Sequence, residues 1–86
     1  MKRAKRKTKS PRDASAVDQY IGARMRESRL AIKMSQADLG EKLGVTFQQI
    51  QKYEKGRNRV SAARLFVICE ALDVSLASMF ERKLKT

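Results

Sequence analysis

The sequence predicts an all-α fold, a compact bundle of five helices over residues 16–82. Three observations lead there. No alternation of apolar and polar residues runs long enough for a strand. The one proline, Pro11, lies near the N-terminus, outside the stretches with helical periodicity. Hydroxyl residues and glycines fall where helices need caps and exits.

The helices follow in order from that punctuation, near 16–32, 36–43, 47–55, 62–72 and 76–82. Ser15 with Asp18 has the spacing of a capping box, in which a hydroxyl accepts from a free backbone N–H and a carboxylate reaches back. Ser35 with Asp38 and Thr46 with Gln49 repeat the pattern, and Ser61 and Ser75 are simpler caps. Gly44 and Gly56 stand where a helix exit calls for a left-handed residue. The expected core is Val17, Ile21, Met25 and Ile32 from the first helix, then Ala37, Leu39 and Leu43, then Ile50 and Tyr53. Leu65, Ile68, Cys69 and Leu72 come from the fourth helix, and Leu76, Met79 and Phe80 from the fifth. The methionines read as gap-fillers. So short an apolar face needs tertiary packing to hold each helix.

Charge is uneven along the chain. Twenty Lys and Arg against nine Asp and Glu give a net +11. Seven of the basic side chains fall in residues 1–12, which carry no acid, so residues 13–86 keep +4. A segment so charged and so poor in apolar residues is expected to be disordered when free. This gives a basic arm over 1–15, a domain over 16–82 and a short tail over 83–86. The arm is either a solubilising tail or a device that follows phosphates or enters a groove.

Composition excludes several chemistries. With no His and a single Cys, the chain has no His base, no internal disulfide and no Cys/His zinc site. Cys69, in an apolar helical stretch, reads as a small core residue. No nucleophile is paired with a base and no glycine loop is suited to phosphate, so no enzyme is expected, and no cofactor or metal. No apolar run approaches the roughly 20 residues that span a bilayer. The basic N-terminus is not followed by the apolar stretch of a signal peptide, so a cytoplasmic, nucleoid-associated protein is expected. The positive balance favours a polyanionic partner.

The informative stretch is residues 36–55, two short helices joined at Gly44-Val45-Thr46. Gly40 allows close packing against the second helix, and Gly44 permits positive φ in the turn. Leu39, Leu43, Val45, Ile50 and Tyr53 fill the angle between the helices. The N-terminal part of the second helix then projects outward, at a size a DNA major groove admits.

Over residues 18–81 the sequence resembles the helix-turn-helix domains of Cro and the phage repressors, the xenobiotic-response-element type of regulator. The resemblance rests on Ser35-Gln36-Ala37-Asp38-Leu39, on Leu43-Gly44-Val45-Thr46, and on Ile50-Gln51-Lys52-Tyr53-Glu54-Lys55-Gly56. It implies a lambda-repressor-like domain that binds double-stranded DNA in a bacterium or phage. It places Phe47, Gln48, Gln49 and Lys52 toward base edges. It places Gln36, Thr46, Lys55, Asn58 and Arg59 on phosphates. Arg29 and Glu54 match a structural ion pair, which leaves Glu54 no catalytic role. Phe47 departs from the commoner polar residue: it contacts a thymine methyl, staples the helix start or joins a partner interface. Gln51 is expected to face solvent, as are Arg24, Arg26, Arg57, Arg64 and Lys83.

The function implied is a sequence-specific transcriptional regulator, a repressor, acting as a homodimer on a two-fold site. Leu76, Met79 and Phe80 are either its interface or intramolecular core. No ligand-binding domain and no membrane partner are expected. The alternative is an antitoxin or other protein-interaction module that uses the same fold and binds DNA secondarily.

Overall fold

The computed structural model describes residues 3–81, with side chains from residue 16 onward. Four α-helices, α1 (Arg3–Ala31), α2 (Gln36–Leu43), α3 (Phe47–Glu54) and α4 (Ala62–Leu72), are followed by a 3-10 turn over Leu76–Phe80. No strand occurs among the described residues.

Helix starts obey one local rule. Ser35, Thr46, Ser61 and Ser75 each have extended backbone and accept a hydrogen bond from the N–H three residues on, at Asp38, Gln49, Arg64 and Ser78. At Ser35 the capping box is complete, because the Asp38 carboxylate accepts from the Ser35 N–H in return.

Helix exits obey another. At the end of all four α-helices a residue with positive φ is followed by a six-to-one backbone bond, the Schellman arrangement. Met34 N–H donates to the Arg29 carbonyl, Val45 to Gly40, Arg57 to Lys52 and Val74 to Cys69. The residues at positive φ are Lys33 (55°), Gly44 (74°), Gly56 (73°) and Asp73 (59°). The closing residues Met34, Val45 and Val74 are half-buried and pack against the core. Arg57, which closes the exit of α3, is exposed instead.

The core lies between α1, packed on α3 and the 3-10 turn, and α2, packed across α3 and α4. Met25, Leu39, Ile50, Ile68, Leu72 and Met79 are fully buried, and Tyr53, Leu65 and Cys69 nearly so. Each fully buried large apolar side chain contributes about 1.5–3 kcal/mol. Burial pushes the Cys69 thiol up from its ordinary value. It therefore stays protonated at neutral pH.

Two close approaches set how the helices sit. A Cβ on Gly22 would fall onto the carbonyl oxygens of Tyr53 and Glu54, so α1 lies directly on the last turn of α3. A Cβ on Gly40 would come within 2.7 Å of the Val45 carbonyl oxygen, so α2 lies against the turn that enters α3.

Several expectations are corrected. The α1 backbone is already helical at Ser15, so Ser15 is no cap and the start near 16 moves to Arg3. The stretch from Arg3 to Ser15 is rich in Lys, Arg and Ala, which are good helix formers. The helix runs on through Pro11, which the sequence placed outside the helices and which supplies no N–H to the ladder. The expected arm over 1–15 falls outside the described side chains, and the tail over 83–86 outside the described residues. The fifth helix is a five-residue 3-10 turn, too short for an α-helical ladder to be worth its nucleation. Val17, Ile32, Ala37, Leu76 and Phe80 are exposed and not core. Ile32 lies in the exit of α1, and Ala37 at the start of α2, on the side turned from the bundle. Arg24 is not a free surface charge: its Nε and Nη2 donate to the Ser78 carbonyl at 3.0 and 2.9 Å, tying α1 to the 3-10 turn. Arg64 is half-buried and its Nη1 donates to the Leu43 carbonyl at 3.4 Å.

Lys33 occupies the left-handed region without the freedom of glycine, which strains its Cβ against its own backbone. Lys33→Gly is expected to raise stability by up to about 1 kcal/mol, since the relieved strain exceeds the added chain entropy. A urea unfolding curve checks this, and a lowered midpoint would show that the strain is absent.

Candidate nucleic-acid interface

The surface that α3 presents is set by what the helix buries. Ile50, Tyr53 and Glu54 face inward. Phe47, Gln48 and Lys52 face solvent, with Phe47 47% exposed. Gln49 is half-buried near the start of the same helix. Gln51, expected to face solvent, is half-buried too, because the helix lies closely flanked by α1 and α2. The outward side thus offers an aromatic ring, amides and an ammonium. Groups of these kinds can hydrogen-bond to, or pack against, the edges of bases.

Thr46 spends its hydroxyl on the Gln49 N–H at 3.2 Å and is itself exposed. The helix start thereby carries backbone N–H groups and a polar side chain toward solvent, an arrangement that suits a phosphate oxygen. After α3 the chain turns through Lys55, Gly56, Arg57, Asn58 and Arg59. Lys55, Arg57 and Arg59 are exposed, and Asn58 is half-buried. Arg59 is paired: its Nε donates to Asp18 Oδ2 at 3.1 Å. The spacing of 41 residues between the two gives no hint of the contact in the sequence.

Beneath the surface lies a buried polar knot. Arg29 Nε donates to Glu54 Oε2 at 2.7 Å and Nη2 donates to Glu54 Oε1 at 3.0 Å. The pair is bidentate, with side chains only 6% and 2% exposed. Arg29 Nη1 also donates to the Met34 carbonyl at 2.7 Å. Gln36 Nε2 donates to Glu54 Oε1 at 3.0 Å. The last turn of α1, the first residue of α2 and the last turn of α3 are therefore joined through one carboxylate, and the loop before α2 through the guanidinium that meets it. Gln36, expected on a phosphate, has one amide hydrogen committed inward and is half-buried.

The structure thus gathers Gln36, Arg29 and Glu54 at one end of α3. Phe47, Gln48 and Lys52 lie along its open side, with Thr46 at its start. Lys55, Asn58 and Arg59 follow its exit. Sequence reasoning passed over Gly22, took Asp18 for a capping residue and Arg24 for a solvated charge; their roles arise only when α1 is packed.

A helix-turn-helix family model matches residues 25–78 of the chain. An uncharacterized HTH-type transcriptional regulator of Sinorhizobium fredii is 59% identical over 68 residues, covering 79% of this chain and 48% of its own length. The chain spans about half the length of such curated relatives. Among solved structures, the restriction-modification controller protein C.AhdI of Aeromonas hydrophila aligns with a TM-score of 0.74 and 29% identity, over 79% of this chain and 99% of its own. The clp gene regulator ClgR of Corynebacterium glutamicum aligns with a TM-score of 0.72 and 28% identity, over 74% of this chain and 68% of its own.

Removing one partner of a buried ion pair leaves the other charged and unsolvated. Glu54→Ala is expected to cost about 3–5 kcal/mol in urea unfolding, while the molecules that remain folded keep their base preference. A variant as stable as the parent, with altered sequence preference, would refute a structural role for the pair.

Proposed function

The chain belongs to the helix-turn-helix family, and we propose that it is a DNA-binding transcriptional regulator that reads double-stranded DNA by placing the N-terminal part of α3 in the major groove. The observation that carries this reading is the division of α3. Its inward side is fixed by Ile50, Tyr53 and the buried Glu54, and its open side holds Phe47, Gln48 and Lys52. The match to a helix-turn-helix model supports it, as do relatives that are named transcriptional regulators.

Gln48 reads adenine through its amide, and Lys52 donates to guanine O6 and N7. Gln49 adds a base-edge contact, and Phe47 packs on a thymine methyl. Gln36, Thr46, Lys55, Asn58 and Arg59 hold the flanking phosphates and fix the register. Gln36 does so with the amide hydrogen that Glu54 leaves free.

The protein acts as a homodimer on a two-fold operator in the cytoplasm, as a repressor. One short helix reads only a few base pairs, each good pair worth about 1–3 kcal/mol, which is too little discrimination for a genome. Two half-sites about one helical turn apart supply the rest. Leu76 and Phe80, 44% and 51% exposed, supply apolar surface for the partner. Met79 is fully buried and belongs to the intramolecular core, so it is removed from the interface that the sequence suggested.

Selection of sites from a randomised duplex pool tests the reading. It is expected to enrich a palindrome with half-sites about one turn apart. Retention without enrichment would mean a charge-driven binder, and no retention would favour the protein-interaction alternative. Gln48→Ala is expected to relax preference at one position of each half-site and to leave the salt dependence intact. An equal loss on all sequences would overturn its base-reading role. Deleting residues 1–12 is expected to weaken binding to every duplex and flatten the salt dependence, since fewer counterions are released. An unchanged slope would make the segment a passive tail.

A further inference from the structure

We propose that Asp18 is a positioning residue for DNA binding: it holds the Arg59 guanidinium by its Nε and so aims the rest of that group at a phosphate. The inference rests on the DNA-binding reading above.

The loop after α3 is pinned to α1 at two neighbouring points. A Cβ on Gly56 would lie 2.7 Å from the Gln19 Cα, so the bare backbone of the loop rests on α1 at that residue. Next to it, Asp18 accepts the Arg59 Nε–H at 3.1 Å. The Asp18 side chain is only 15% exposed, so its position is set by packing. The Arg59 side chain is 67% exposed, so its far end is not. Among the described residues nothing accepts from Nη1 or Nη2 of Arg59. Four of the five guanidinium donors thus stay available on a group that the fifth holds at one edge. Two parallel N–H groups of a guanidinium match the oxygens of a phosphate.

The pair has little value as fold support. An ion pair this open to water contributes almost nothing to stability. Its worth lies in order. A free arginine gives up rotamer freedom when it closes on a phosphate, and that loss lowers affinity. Asp18 removes part of the freedom before DNA arrives.

Charge alone makes the opposite forecast. Asp18 stands within a Debye length, roughly 10 Å, of any phosphate on Arg59. As a simple negative charge it would repel the duplex, and its removal would tighten binding. The two accounts therefore differ in sign.

The test is equilibrium binding of the full chain to a mixed-sequence duplex across a salt series, for the parent, Asp18→Asn, Arg59→Ala and the double variant, with thermal melts alongside. Asp18→Asn is expected to weaken binding by roughly three- to tenfold, the cost of immobilising one long side chain. It should also lower the salt slope by nearly one phosphate contact. Arg59→Ala is expected to do the same, and the double variant to be no weaker than Arg59→Ala alone. Asp18→Glu, which keeps the carboxylate, should restore part of the affinity and of the slope. That pattern cannot come from a destabilised fold, which leaves the slope of the folded molecules unchanged. Tighter or unaltered binding by Asp18→Asn, or additive losses in the double variant, would overturn the proposal and leave the DNA-binding reading standing. Failure of the parent to bind any duplex would overturn both.

Discussion

The fold hangs on one carboxylate. Glu54 sits in the last turn of α3, where the helix dipole disfavours a negative charge. It is tolerated because Arg29 meets it with two parallel hydrogen bonds in a site closed to water. Desolvating both groups is expensive, and the pair does not stabilise the domain more than apolar packing would. What it adds is definition. The same guanidinium holds the Met34 carbonyl and the same carboxylate holds Gln36, so the entry into α2 is located relative to the end of α3. The angle between those two helices is the quantity on which the proposed groove fit depends.

Around that knot, α1 acts as the frame. Gly22 lets it lie on the backbone of α3, and Gly56 lets the following loop lie on it in turn. Arg24 carries the frame to the 3-10 turn through the Ser78 carbonyl. One helix therefore touches both α3 and the segment that bears Leu76 and Phe80. A displacement of α1 would move both.

Much of this was legible in the sequence, for reasons of range. A cap is decided by residues three apart, and a glycine exit by one residue and its neighbours, so Ser35, Thr46, Ser61, Ser75, Gly44 and Gly56 read correctly from local pattern. The left-handed exits at Lys33 and Asp73 did not, because the backbone hydrogen bonds that impose them leave no mark when glycine is absent. Gly22 looked like any helical residue until α3 was laid against it. The pairing of Asp18 with Arg59, and of Arg24 with Ser78, joins positions 41 and 54 apart, and only the packed bundle brings them together. Val17, Ile32, Leu76 and Phe80 followed helical spacing yet stay exposed, since periodicity tells which face is apolar and not how far the neighbouring elements reach.

The exit of α3 differs from the other three in one respect. Met34, Val45 and Val74 close their helices by packing on the core, whereas Arg57 closes α3 and faces water. Changing any of the first three therefore trades stability for whatever else it alters. Arg57 and its exposed neighbours Lys55 and Arg59 can exchange side chains without unpacking anything beneath them. If that loop grips DNA as proposed, a lineage descended from this domain is free to retune the grip by drift there, at almost no thermodynamic penalty to folding.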